Sequence, residues 1–304
     1  MRGATRAVRD LFEGFESRRI ALADAEIFLR LGGSGPPLLL LHGFPQNHRA
    51  WHQVAPLLAR DFTLVIPDLR GYGASRGPEP DAAHRAYSKR AMAEDMAAAM
   101  DELGYARFAL AGHDRGARVG YRLCLDRPER VTRFAALDIV PTLDVWESLD
   151  ADKAHGVYHW MFLAAPAPVP ERLIAGAPEF YIRHLLDLWA GDRAALDPEA
   201  VALYCAQYGD SAVIAASCAD YRAGATTDRA DDAADRAAGR KIACPVLALW
   251  GGAYLSAKAD SVVEVWRRWT DDVSEVALDC GHFLAEERPQ ETAAALREFF
   301  GASR

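Results

Sequence analysis

The chain reads as an α/β protein: a mostly parallel sheet flanked by helices, with a helical cap domain inserted into it. Two observations predict this. Near-continuous apolar runs of strand length alternate with helical stretches, and between about Asp144 and Gly239 the alternation gives way to helices alone. Apolar runs without polar alternation belong to strands buried on both faces, as in parallel sheets, and strand–helix alternation builds such sheets.

In order, Arg19–Leu22 and Glu26–Leu31 read as the first strands, joined by a turn at Ala23–Asp24, and a loop over Gly32–Pro37 follows. The buried strands come next: Leu38–Leu41, Thr63–Ile66, Phe108–Ala111, Phe134–Leu137 and Val246–Trp250, with Val273–Leu278 as the last strand. Ser88–Leu103 reads as a helix, as do Ala117–Leu125 behind a Gly-flanked turn and Pro289–Phe300 near the end. The interruption holds aromatic-rich helices at Lys153–Leu163, Pro170–Leu173, Glu179–Leu188, Pro198–Gly209 and Ser211–Arg222, separated by Pro and Gly. The expected organisation is a core over residues 1–143 and 240–304 and a cap over 144–239, each of ordinary domain size.

With 304 residues, 51% of them hydrophobic, the chain can bury a large core without staples. Its five cysteines, Cys124, Cys205, Cys218, Cys244 and Cys280, are scattered, odd in number and form no C-x-x-C pair. Neither a disulfide framework nor a metal site is expected, and a reducing cytoplasm fits best. The first residues, Met1–Arg19, include no apolar stretch of signal-peptide length, and no uncharged apolar run is long enough to span a bilayer. A net charge of −8 with both signs interspersed disfavours nucleic acid as a partner. An anionic substrate would therefore depend on local cations.

Such cations stand beside the clearest motif. Gly112-His113-Asp114-Arg115-Gly116 lies directly after a buried strand and directly before a helix. Glycines two residues either side of Asp114 permit a tight turn that pushes the central side chain out over the sheet. Ser is the usual residue at such a centre. An Asp there needs no activating base and can attack a saturated carbon, leaving an ester. His282, in Asp279-Cys280-Gly281-His282-Phe283, follows the last strand and reaches the same sheet edge, where it can draw a proton from water attacking that ester. Asp138, at the end of the Phe134–Leu137 strand, is well placed to orient the imidazole. The competing position after Val246–Trp250 offers only Asp260, farther along. In His42-Gly43-Phe44-Pro45, the Phe44 N–H together with that of Arg115 would form an oxyanion hole for the hydrolytic step.

Arg115 and Arg118 lie at i and i+3 on the first turn of the elbow helix, suited to a substrate carboxylate, whereas Arg122 is expected to point outward to surface acids. In the cap, His159, Trp160 and Tyr221 are neutral donors that would suit a departing halide.

Asp114-Arg115-Gly116-Ala117-Arg118, His159-Trp160 and Asp220-Tyr221-Arg222 resemble the fluoroacetate (haloacetate) dehalogenases of the α/β-hydrolase superfamily, from about His42 to the end of the chain. The resemblance implies the α/β-hydrolase fold and hydrolysis of a short 2-haloacid to the 2-hydroxy acid and halide. It implies Asp114 as nucleophile, His282 as base and Asp138 as its orienting acid. Arg115 and Arg118 would hold the substrate carboxylate, and His159, Trp160 and Tyr221 the halide. It also implies no cofactor, water as co-substrate and a homodimer. The loop Gly251–Ala259 departs from the family pattern. Three rivals stand beside this reading. A dehalogenase of chloro- or bromoacetate with weak defluorination is the nearest. An epoxide hydrolase would use the same Asp–His machinery, with Tyr158, Tyr181, Tyr204 or Tyr208 as acids beside Tyr221. The third is a non-catalytic receptor.

Overall fold

The computed structural model describes residues 10–255 and 261–301. Its strands are β1 (Glu16–Ala21), β2 (Glu26–Gly33), β3 (Pro37–Leu41), β4 (Thr63–Pro67), β5 (Phe108–His113), β6 (Val131–Leu137), β7 (Val246–Gly251) and β8 (Val273–Leu278). They form one sheet in the order β1-β2-β4-β3-β5-β6-β7-β8, antiparallel where β2 meets β1 and β4 and parallel elsewhere. The first strand starts at Glu16 rather than Arg19, because it is an edge strand with almost every side chain exposed and carries no apolar signature.

The apolar runs work as two-sided strands. Leu39 and Leu41 pack with Met92, Met96 and Val119 on one face, while Leu38 and Leu40 pack with Leu58, Leu284 and Leu296 on the other. The helices supplying those side chains are α1 (Ala55–Leu58), α2 (Lys89–Glu102) and α3 (Arg115–Asp126) before the interruption. After it come α12 (Val262–Trp266), α13 (Leu284–Glu287) and α14 (Pro289–Gly301). Ser88 caps α2, its side chain accepting from the Ala91 N–H at 3.2 Å.

Between β6 and β7 the chain is helical: α4 (Thr142–Glu147), α5 (Ala151–Gly156), α6 (Tyr158–Leu163), α7 (Val169–Gly176), α8 (Pro178–Trp189), α9 (Pro198–Gln207), α10 (Ser211–Ala225) and α11 (Thr227–Ala237). The single helix read over Lys153–Leu163 is two, broken at Val157 (φ −120°, ψ 30°), where Gly and a β-branched residue adjoin and both weaken a helix. The strongly polar α11 was not anticipated, since its buried positions are Asp228, Asp232 and Asp235 rather than apolar residues. Among the described residues no helix is long and apolar enough to cross a membrane, and no cluster of His, Cys, Asp or Glu could hold a metal.

The chain passes from β5 into α3 through the single residue Asp114. Asp114 has φ 45° and ψ −114°, outside the regions a non-glycine residue ordinarily adopts. Close packing of α3 against the end of β3 sets that geometry: a Cβ on Gly116 would stand 2.5 Å from the His42 carbonyl oxygen. Gly116→Ala must push the two elements apart. It should lower unfolding free energy by about 1–3 kcal/mol, read from urea melts, whereas a change within error would show that the turn has slack.

Candidate active site

Three loops meet at the C-terminal ends of the parallel strands. The β5–α3 turn brings Asp114, the end of β6 brings Asp138, and the loop after β8 brings His282. Asp138, itself at φ 56°, accepts the Gly251 N–H on Oδ1 at 2.9 Å, which leaves Oδ2 facing His282 Nδ1 at 2.5 Å. The imidazole therefore carries its proton on Nδ1, and Nε2 is left as the basic nitrogen. The His282 N–H donates to the carbonyl of Trp189 at the end of α8, and His113 Nε2 donates to the His282 carbonyl at 2.8 Å. Rings pack round the same imidazole, with centroids of His113 and Tyr254 each 4.5 Å away.

The loop after β3 closes the other side. The Phe44 N–H donates to Asp114 Oδ1 at 2.9 Å. Gly43 makes that approach possible, since a Cβ there would stand 2.6 Å from the Asp114 Cβ. His42 holds the loop in shape: its Nε2 accepts the Leu69 N–H at 3.0 Å and its Nδ1 donates to the Gly43 carbonyl at 3.0 Å. Burial keeps that imidazole neutral, pushing its pKa down.

Burial pushes the Asp114 carboxyl up, but the charges of His282, Arg118, His113 and Arg115 outweigh it and hold the group at about 2. Asp114 is thus a carboxylate at any physiological pH. Tyr221 behaves oppositely: burial, with the Asp114 charge, pushes its phenol well up, so it remains a donor.

A cavity of about 230 Å³ opens onto Asp114, and its wall includes Arg118, His159, Trp160, Tyr221 and His282. The ring centroid of Tyr221 lies 5.7 Å from that of His159 and 6.3 Å from that of Trp160. Arg118 Nη1 donates to the Val140 carbonyl at 3.0 Å and to Thr142 Oγ1 at 3.1 Å, and its guanidinium stands 4.7 Å from the Trp160 ring centre. Its Nε–H has no partner among the described residues.

Arg115 is placed differently from Arg118. It lies outside the cavity wall, its guanidinium 4.2 Å from the Tyr221 ring centre, with Nε and Nη2 bound to Asp220 and Nη1 without a partner among the described residues. The expectation for Arg122 is corrected. It is buried and paired with Asp232 and Asp235 of α11, because that helix turns its acids inward.

Sequence reasoning quoted Asp220 within Asp220-Tyr221-Arg222 but gave it no role, and the structure makes it a fully buried carboxylate. Trp189 and Tyr254, which line the cavity, were missed. Their places depend on loop paths that no spacing encodes. Asp260 and the part of the Gly251–Ala259 loop beyond Leu255 lie outside the described residues.

Fold and site together define an α/β hydrolase, and the family model described as "alpha/beta hydrolase fold" matches residues 36–289. The chain is 44% identical over 295 residues to the fluoroacetate dehalogenase of Burkholderia sp, covering 97% of this chain and 96% of the relative. It belongs to the fluoroacetate dehalogenase family of that superfamily. The soluble epoxide hydrolase of Corynebacterium sp. strain C12 is 31% identical, covering 90% of this chain and 92% of the relative. Among solved structures, ALR0039 from Nostoc sp PCC 7120 superposes with a TM-score of 0.92 at 48% identity, covering 94% of this chain and 98% of that one.

Proposed function

We propose that the protein hydrolyses the carbon–halogen bond of a short 2-haloacid such as fluoroacetate, giving the 2-hydroxy acid and halide through an ester on Asp114. One observation carries the reading: two buried guanidiniums, Arg118 on the cavity wall and Arg115 against the Tyr221 ring, both lower the Asp114 pKa, and each keeps a nitrogen, Arg118 Nε and Arg115 Nη1, without a hydrogen-bond partner among the described residues. A neutral substrate has no use for two such donors, whereas a substrate carboxylate satisfies both.

The substrate carboxylate is held by Arg118 and Arg115. Asp114 Oδ2, the oxygen not held by Phe44, attacks the α-carbon. The new C–O bond forms as the carbon–halogen bond breaks, and halide leaves with the electron pair toward His159, Trp160 and Tyr221. Their neutral donors suit an anion, and help at the leaving group is where this step needs it. A water then gives a proton to His282 Nε2, and its oxygen attacks the Asp114 carboxyl carbon. Charge develops on Oδ1, beside the Phe44 N–H and, in this reading, the Arg115 N–H. Collapse releases the hydroxy acid, which takes that proton back from His282. Asp114, left with one oxygen from water, gives the second water proton to solvent and is a carboxylate again. Asp138 holds the imidazole in the required tautomer. Residues 144–239 act as the cap over this site.

An epoxide hydrolase is the second reading, favoured by the Corynebacterium relative and by two phenols on the cavity wall, Tyr221 and Tyr254. None of Tyr158, Tyr181, Tyr204 and Tyr208 lines the cavity. A homodimer, implied by the family, is supported by large exposed apolar side chains on α7 and α8: Leu173 at 61%, Phe180 at 73% and Leu188 at 50% exposure.

Three outcomes test these readings. A single turnover of chloroacetate in heavy-oxygen water should place the label in the Asp114 carboxylate, with chloride and, from fluoroacetate, fluoride detected by ion-selective electrode. An unlabelled Asp114 rejects the ester, and turnover of styrene oxide without halide release from either acid installs the epoxide reading. The two half-reactions should also separate by pH. The depressed Asp114 stays ionised as pH falls until about 2, while His282 accepts a proton only as the neutral imidazole. Rapid-quench assays at acid pH, or of His282→Ala at neutral pH, should give one halide per site and an Asp114 ester seen by mass spectrometry. Steady turnover of the variant at the parent rate would remove His282 from the mechanism. Sedimentation velocity should find a dimer that Phe180→Glu with Leu173→Glu converts to monomer; a monomeric parent ends the dimer reading.

A further inference from the structure

Arg115 follows the nucleophile in sequence, yet it is held from the cap side. Its Nε donates to Asp220 Oδ2 at 3.0 Å, and its Nη2 donates to both the Asp220 side chain and the Asp220 carbonyl, the latter at 2.8 Å. Asp220 has no exposed surface, and it also receives Lys89 Nζ and, at 2.7 Å, the Tyr72 hydroxyl. One turn further along α10, Gly224 makes room for the guanidinium: a Cβ there would stand 3.2 Å from Arg115 Nη2. A planar guanidinium gripped along its Nε–Nη2 edge can no longer turn, so its remaining Nη1–H has a fixed direction.

We propose that Asp220, seated opposite Gly224, is a positioning residue for recognition of the substrate carboxylate. By clamping one edge of Arg115 it aims the Nη1–H at the acid and prevents that edge from collapsing onto Asp114. The inference rests on the haloacid reading and adds to it a residue that touches neither substrate nor nucleophile. The competing role is purely structural: Asp220 anchors the cap by neutralising Lys89 and Arg115, and the direction of Nη1 is incidental.

The two roles differ in what they move. Asp220→Asn keeps the shape and removes the charge that grips the edge; Gly224→Ala keeps every charge and presses on the guanidinium. The positioning role raises the KM for chloroacetate, and weakens competitive inhibition by the product glycolate, by roughly tenfold or more in both variants. kcat should stay within about threefold and bromide inhibition, read at the halide end, should stay unchanged. If folded Asp220→Asn, or Gly224→Ala alone should the former not fold, shows unchanged KM and glycolate inhibition, the proposal is overturned. Glycolate and bromide inhibition weakening together also overturns it, since that is displacement of the cap. If the parent releases no chloride from chloroacetate, the haloacid reading fails on its own. Calorimetric binding of glycolate to parent and variants then still decides whether Asp220 sets the carboxylate grip, an unaltered affinity counting against it.

Discussion

The Asp114 carboxylate is charged and buried at once. Asp114 has 9% of its surface exposed, and moving an ion out of water costs several kcal/mol unless charges and donors nearby replace the solvent. Here they do. The Phe44 N–H donates to the carboxylate, and the charges of His282, Arg118, His113 and Arg115 hold the group at about 2 against the pull of burial. The rest of the site follows from keeping that one charge.

The cations that serve Asp114 are themselves buried, Arg115 to 1% and Arg118 to 3% exposure, so they need partners in turn. Arg118 takes the Val140 carbonyl and Thr142 Oγ1, and Arg115 takes Asp220. Asp220 also meets Lys89, which lies 3.8 Å from Asp228, and the neighbouring Arg122 meets Asp232 and Asp235. In this network the acids come from α10 and α11 and the bases from α2 and α3. Docking of α10 and α11 and charge balance at Asp114 are therefore one problem. The helix that brings Asp220 to Arg115 also brings Tyr221 to the cavity, because adjacent helical residues point in different directions.

This explains which parts of the molecule were legible in the sequence. Strands β3 to β7 announced themselves because both of their faces are buried, which demands unbroken apolar runs. The elbow was legible because a tight strand-to-helix turn demands small residues at fixed offsets, and Asp114, Asp138 and His282 followed from strand ends sharing one edge. The helix α11 was hidden for the opposite reason. Its inward positions, Asp228, Asp232 and Asp235, have helical spacing but face cations, so a search for apolar periodicity passes over them. Acids at i, i+4 and i+7 were the available signal. Trp189 and Tyr254 gave none, for their contact with His282 depends on where loops run in space.

The same charge argument bears on the two chemistries proposed for this site. Attack by an aspartate and hydrolysis by a His–Asp pair serve a haloacid or an epoxide equally well, so the triad is silent on substrate. An epoxide needs a proton delivered to its oxygen as the ring opens. The lid phenols that sequence offered for this lie outside the cavity wall, and Tyr204 donates its hydroxyl to Glu286 instead. Tyr221 and Tyr254 do line the wall, and burial pushes both phenols well up, so both keep their protons and can donate a hydrogen bond. A departing halide asks only for the hydrogen bond. The surroundings of Asp114 thus combine guanidinium nitrogens without partners among the described residues and phenols that hold their protons, which supports the haloacid reading over the epoxide one.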